Sequence, residues 1–210
     1  VIKHAAAMGL DVDIGAVEKA KALLGQSKQQ KHNIPAMLWA DAPGYYQELD
    51  ENTLAGLALK LLMLTGVRSY PVRYAEADEF EEDIWVIPGA KMKGAAGKTP
   101  DFRVPLSDEA KRIITIAKDR TPNDFIFANH KGNILSDAAM SSIMKRAGID
   151  ARPHGFRSTL RTWIAETQSV SLEVAEMVLA HRPASKVVRA YERTDFLDQR
   201  REIMEKWAKY

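Results

Sequence analysis

Arg68, Lys93, His154, Arg157, His181 and Tyr191 stand in an order, and in local contexts, that suit chemistry on a phosphate. Arg68 closes the string Thr65-Gly-Val-Arg68 after an apolar run. His154-Gly-Phe-Arg157 sets an imidazole three residues before a second guanidinium. His181 ends Leu179-Ala-His181, and Tyr191 lies in Ala190-Tyr191-Glu-Arg193. Attack on a phosphodiester gives a pentavalent phosphorus with extra charge on its non-bridging oxygens, so fixed positive hydrogen-bond donors are needed there. A guanidinium is permanently charged and can grip two oxygens at once, which suits Arg68 and Arg157. His154 and Arg157 would project from one face of a helix near its start, and a helix N-terminus itself favours an anion.

Tyr191 is the candidate nucleophile. A free phenol has a pKa near ~10, so it needs a base or nearby positive charge to react. His154 and His181 titrate near neutrality and fit acid-base or positioning roles. A leaving 5′-oxygen needs a proton. Lys93, on a flexible Gly- and Lys-rich loop, is the candidate general acid, with Lys91 and Lys98 as alternatives on the same loop. Each residue alone has a plainer reading: a core or surface aromatic, a capping arginine, a solvated lysine. It is the ordered set that points to metal-free phosphoryl transfer on DNA.

The elements that would carry these residues are mostly helical. Residues 41–49 and 51–65 read as helices, the second with Leu54, Leu57, Leu61 and Leu64 at helical spacing and Gly66 as its stop. Ile84–Pro88 and Phe102–Leu106 are short β-type runs joined by the hairpin-like stretch 89–99. Residues 75–80 could add a third strand, with 81–83 as its tight turn. Ser107 caps a helix whose first turn is acidic. Helices follow over 136–147, 154–167, 171–179, 184–191 and 196–209, the last with an apolar stripe at Phe196, Ile203, Met204 and Trp207. The expected fold is mainly α with one small antiparallel sheet. Residues 1–25 read as the remnant of an upstream domain, 26–34 as a polar, basic linker, and 35–210 as the catalytic domain.

Composition narrows the alternatives. The chain has no cysteine, which excludes disulfides and thiolate metal sites and suggests a reducing compartment such as a cytoplasm. The longest apolar stretch, Leu54 to Leu64, is broken by Gly56 and Lys60 and falls short of the roughly 20 residues that cross a bilayer. Net charge is only +2, yet acids gather at 76–83 and bases at 91–103, 145–161 and 182–193. A nearly neutral chain can still show one positive face to phosphates. Lys91, Lys98, Lys145, Arg146, Arg152 and Arg161 are candidates for such contacts, which would be salt-sensitive. A metal-dependent nuclease would need clustered carboxylates. Those at 76–83 lie in an apparent hairpin turn, away from the basic motifs.

Residues from about 35 to 210 resemble the catalytic domain of the tyrosine recombinases, in particular the integrases of satellite prophages and genomic islands. The strings that carry the resemblance are Leu64-Thr-Gly-Val-Arg-Ser69, Trp85-Val-Ile-Pro-Gly-Ala-Lys-Met-Lys93, Arg103-Val-Pro-Leu-Ser107 and His154-Gly-Phe-Arg-Ser-Thr-Leu-Arg-Thr-Trp163. Leu179-Ala-His-Arg182 and the stretch from Ala190 to Trp207 complete it. The resemblance implies that Tyr191 attacks the scissile phosphate to give a 3′-phosphotyrosine and a free 5′-hydroxyl. Arg68, Arg157, His154 and His181 would surround the phosphate, and Lys93 would protonate the leaving oxygen. It implies no cofactor and no metal, because the bond energy stays in the phosphotyrosine. The expected partner is double-stranded DNA at attachment sites. A homotetramer would form on it through the helix after Tyr191, docked on a neighbouring subunit, from a monomer without DNA. An accessory directionality factor is a further expected partner.

One departure stands out. After the first arginine the family commonly has a small residue and an acid, whereas this chain reads Arg68-Ser-Tyr-Pro71. An acid that would orient charged neighbours is replaced by Pro71, which a first helical turn tolerates. The alternatives are therefore a weakened or inactive DNA-binding remnant, or a nicking-closing enzyme like the type IB topoisomerases.

Overall fold

The twelve residues from Leu54 to Thr65 are apolar on nearly every face, and such a helix is stable only when surrounded. That is where the computed structural model places it. The structure describes residues 1–24, 34–94, 97, 99–121, 124–129, 131–181 and 194–210. The chain divides into two compact units, Val1–Asn33 and Ile34–Tyr210. The first unit holds helices α1 (Ile2–Ala7) and α2 (Ala16–Leu24), neither with a buried residue. The second holds α3 (Ala42–Glu48), α4 (Leu54–Thr65), α5 (Ser69–Arg73), α6 (Asp108–Arg120), α7 (Ala139–Arg146), α8 (Phe156–Thr167), α9 (Leu172–Val178) and α10 (Leu197–Lys209). Its strands are β1 (Phe80–Glu81), β2 (Ile84–Ile87) and β3 (Phe102–Pro105). The helix expected at 184–191 lies outside the described residues, as does most of the expected linker.

The core is built around α4, whose residues from Gly56 to Thr65 are all buried. It packs on α5, α6, α7, α8 and α10. Thr53 caps its start by accepting from the Gly56 amide at 3.1 Å. Gly66 ends it in the left-handed conformation at φ 62°, which glycine adopts without steric cost. A Cβ at Gly66 would also lie 2.8 Å from Leu160 and 3.1 Å from Leu179. Ser107 and Ser171 cap α6 and α9 by the same device as Thr53.

The sheet is antiparallel in the order β1-β2-β3, with Ile84 opposite Pro105 and Ile87 opposite Phe102. Trp85 and Ile87 turn their alternate side chains into the core. The third strand is shorter than the sequence suggests. Residues 77–79 form a 3-10 turn and only Phe80–Glu81 pairs with β2. The reason is competition for the backbone. The Ala77 amide donates to the Asp124 carbonyl at 2.8 Å, and the Ala75 carbonyl accepts from Ile126 at 3.0 Å. The start of the expected strand is therefore paired with residues 124–126.

The C-terminal helix also differs from expectation. Ile203, Met204 and Trp207 are buried against the chain's own β3, α4, α6 and α9. Trp207 Nε1 donates to the Met63 carbonyl at 2.8 Å. The apolar stripe expected to dock on a neighbouring subunit is thus covered by its own unit. Arg200 fixes the start of α10: it donates to the Asp195 carbonyl at 3.1 Å and to the Arg103 carbonyl, with its guanidinium 4.7 Å from the Phe102 ring centre. Arg103 in turn grips the Asp195 carboxylate through two bonds, at 2.8 and 2.9 Å.

Candidate active site

The site is assembled from four places that α4 and α8 bring together. Arg68 caps the start of α5 in extended backbone, just after the Gly66 turn. His154 sits in a 3-10 turn, Pro153–Gly155, that runs directly into α8. Arg157 follows in the first turn of α8 and is buried. This entry is held from behind by the segment before α3. Arg152 N donates to the Pro35 carbonyl at 3.1 Å, and Thr159 Oγ1 donates to the Met37 carbonyl at 2.6 Å. Gly155 permits the approach, because a Cβ there would lie 2.2 Å from the Pro35 oxygen.

Arg157 is the best-held member. Its NH1 donates to the Gly66 carbonyl, and its NH2 donates to the Leu179 carbonyl at 2.7 Å and meets His181 Nε2 at 3.0 Å. The turn after α4 and the end of α9 are thereby tied to one guanidinium. Arg68 differs. It is half-buried and has no hydrogen-bond or ion-pair partner among the described residues. Lys93 is exposed on the β2–β3 connection. That connection is closed at its base by the Gly89 amide donating to Asp101 Oδ1 at 2.8 Å.

The electrostatics are those of positive charge in excess. Burial holds the His154 imidazole below its ordinary pKa, and the charges of Arg157, Arg68, His181 and Lys93 push it further in the same direction. Arg157 is brought down to about 10, first by burial and then by Arg68. Burial also lowers Arg68. Groups of one sign, gathered where water is partly excluded, resist their own charge until an anion joins them. Five side chains between residues 68 and 181 thus share one electrostatic neighbourhood.

The other sequence candidates divide. Tyr191 and Lys98 lie outside the described residues. Lys145, Arg146 and Arg152 are exposed, and Lys145 and Arg152 line one open depression with Ser141 and Ser142. Two of the basic residues expected at DNA are engaged inside the protein. Lys91 Nζ donates to the Tyr74 carbonyl at 2.6 Å and pairs with Glu79 and, at 3.3 Å, with Glu76. These three partners take its three protons. Arg161 Nε donates to Glu176 Oε1 at 2.8 Å. Three of the six acids at 76–83 are engaged likewise among the described residues: Glu76 and Glu79 with Lys91, Glu79 also accepting from Trp85 Nε1 at 2.9 Å, and Asp83 pairing with Arg201. Among the described residues, no three His, Cys, Asp or Glu side chains are grouped to hold a metal ion, and no helix is long and apolar enough to cross a membrane.

One residue of the site is missing from the sequence reading. Glu176 Oε2 meets His181 Nδ1 at 2.8 Å. Burial raises the Glu176 carboxyl, but bonds from Arg161 and His181 outweigh it and leave the pKa below its ordinary value. A carboxylate five positions before a histidine gives no helical signal, and its partner becomes visible only once the helix end is known.

A mainly helical unit with a small three-stranded sheet, carrying these cations, has the fold of a tyrosine recombinase catalytic domain. Lambda integrase, solved as a tetramer bound to a Holliday junction, superposes with a TM-score of 0.60 at 15% identity over 81% of this chain and 56% of that one. Residues 30–197 match the phage integrase family, and the chain belongs to it. Prophage integrase IntA of Escherichia coli K12 is 31% identical over 218 residues, which cover 99% of this chain and 51% of that protein. The integrase of Enterobacteria phage P4 is 32% identical over 173 residues, covering 73% and 39%. The chain therefore spans about half or less of the length of these relatives.

Proposed function

We propose that this chain is the catalytic part of a site-specific DNA recombinase that cleaves and rejoins DNA through a 3′-phosphotyrosine, to integrate or excise a mobile element. The observation that carries this reading is that Arg157 ties the Gly66 turn to His181, at 3.0 Å from Nε2, with Arg68, Lys93 and His154 in the same electrostatic neighbourhood. In this reading the scissile phosphate is the missing anion. Arg68, which has no partner among the described residues, and the remaining N–H groups of Arg157 bind its non-bridging oxygens. His154 and His181 complete the ring, and Lys93 protonates the leaving 5′-oxygen. Tyr191 is the nucleophile, assigned from the sequence order alone. Its oxygen gives up its proton to a site histidine and bonds to phosphorus as the bond to the 5′-oxygen breaks, and a second 5′-hydroxyl reverses the step with exchanged strands. Residues 1–25 are read as the end of an upstream domain, joined by 26–34 to the catalytic domain.

Double-stranded attachment-site DNA is the proposed partner, and the lambda integrase tetramer is a precedent for assembly on it. A directionality factor and a cytoplasmic, nucleoid-bound location belong to the same proposal. Lys145, Arg146 and Arg152 remain candidates for phosphate contact, while Lys91 and Arg161 have internal partners. The second reading, a DNA-binding remnant without catalysis, is favoured only by Pro71.

A covalent-trapping assay separates the two. The full-length protein would meet a nicked duplex carrying the element's end sequence. An adduct that survives denaturation and vanishes in Tyr191→Phe, with binding intact, is the expected result. Tight binding without an adduct would instead favour the remnant.

A further inference from the structure

The end of α9 is built in a way that brings an acid to the His181 ring. The Leu179 amide donates to the Glu176 carbonyl at 3.1 Å, Ala180 to Met177 at 3.0 Å, and His181 back to Glu176 at 3.0 Å. Ala180 takes φ 52°. This is the Schellman cap, with a left-handed residue just past the helix end and a six-to-one backbone bond behind it. Glycine is the usual occupant of the left-handed place, so alanine there hides the motif in the sequence. The cap brings the side chains at its two ends together, which is commonly an apolar contact. Here they are Glu176 and His181.

We propose that Glu176 is a positioning residue, acting through His181 to supply the orienting acid that Pro71 does not. Both carboxylate oxygens are used: Oε2 on His181 Nδ1 at 2.8 Å and Oε1 on Arg161 Nε at 2.8 Å. Arg161 of α8 thereby fixes the carboxylate, and the carboxylate fixes the ring. The far nitrogen, Nε2, meets Arg157 NH2 at 3.0 Å. An arginine can only donate, so Nε2 of the neutral ring is the acceptor and Nδ1 carries the proton given to Glu176. His181 thus presents a lone pair toward the cationic cluster, with an anion behind it to stabilise the imidazolium when Nε2 takes up a proton. Such backing has precedent: a carboxylate behind an active-site imidazole holds its tautomer and stabilises its charged form. Among the described residues, Arg157 of α8 and Glu176 of α9 contact the His181 ring, Arg161 of α8 is held on Glu176, and His154, itself in range of Arg68 and Lys93, feels the charge of His181.

The inference rests on the recombinase reading for its effect on rate, but the dyad itself can be tested without activity. Long-range proton–nitrogen NMR spectra of the histidine rings in the 210-residue chain, assigned with His181→Asn, should show His181 protonated on Nδ1. That pattern should be lost in Glu176→Ala. It should also be lost or mixed in Glu176→Gln, which offers one acceptor oxygen to two donors. An unchanged His181 pattern in both variants overturns the proposal. The kinetic arm is single-turnover adduct formation by the full-length protein. Carboxylates behind active-site histidines are worth from roughly tenfold to roughly ten-thousandfold in rate. Glu176→Ala should slow adduct formation at least about tenfold, with DNA affinity unchanged and partial recovery in Glu176→Asp. It should have no further effect on top of His181→Ala. Full additivity of the two substitutions overturns a role through His181. A wild-type protein that forms no adduct sinks the phosphotyrosine reading, and the NMR arm then decides the dyad by itself.

Discussion

Two charge networks flank α4, and the same residue types behave oppositely in them. On the α3–α6 side, Arg112 donates to Glu51 at 2.7 and 3.0 Å and to Glu109 at 2.7 Å. Lys60, buried in α4, donates to Glu51 at 2.7 Å and lies 4.3 Å from the Tyr46 ring centre. Tyr46 completes the ring by donating to Glu109 at 2.7 Å. Two cations meet two carboxylates. Arg112 is raised by its bonds to Glu109 and Glu51, and Glu51 is held down at about 2 by Arg112 and Lys60. On the α8 side, Arg157, Arg68 and His154 are all lowered. Balanced charge reinforces itself and serves stability. Charge left in excess costs stability, and in the proposed reading a phosphate would offset it. Burial alone does not mark a site: Arg200 is also lowered to about 10, yet it is spent on the carbonyls of Asp195 and Arg103.

That contrast can be broken from either side. The largest effect is expected at Arg68, where Arg68→Ala should slow adduct formation by about 100- to 1,000-fold, the usual range for one lost donor to a charged transition state. Its melting temperature should not fall, because the side chain has no hydrogen-bond or ion-pair partner to lose among the described residues. A melting temperature that drops with the rate would make Arg68 structural.

Glu51→Gln should do the reverse. It leaves Lys60, 5% exposed, without its acid. The expected loss is on the order of 2–3 kcal/mol in urea unfolding, below the fully buried range because Glu51 is 30% exposed. DNA cleavage by the folded protein should be unchanged. The sign with pH follows from the lowered Glu51. Its stabilisation is complete above the ordinary value of 4.5 and is lost as pH falls from there toward about 2. Glu51→Gln should therefore flatten this acid limb.

The smallest effect is expected at His154. Its folded-state pKa is depressed, so the unfolded chain binds the proton first as pH drops. Its contribution to stability is complete above the ordinary 6.5 and declines as pH falls through that value toward the folded one. NMR titration of the His154 ring should show the low value in the free chain and a rise when duplex DNA supplies phosphate. No rise on binding would place the phosphate elsewhere.

Much of the frame was legible in order and spacing. The apolar run 54–65, the cap at Ser107 and the stop at Gly66 are local signals, and each acts through a few neighbouring groups. The series Arg68, His154, Arg157 and His181 was also readable, because residue type and order carry chemistry without geometry. Two sequence signals misled. Residues 75–80 look like a strand, but their backbone is taken by 124–126. The stripe on α10 says only that it must be covered, and its own core covers it.

The sequence by itself determined the helical class, the helix ends with ordinary caps, and the set of charged side chains that the proposed phosphate chemistry would draw on. Tertiary structure decided which of those charges are spent. Lys91 and Lys93 are two residues apart on one loop, yet Lys91 is neutralised by Glu76 and Glu79 while Lys93 stands exposed beside the site. Glu176 is brought to His181 by a helix cap that alanine conceals, and Arg161 is spent on the same carboxylate. Whether a charge is paired depends on side chains far away in the sequence, and only packing sets those distances.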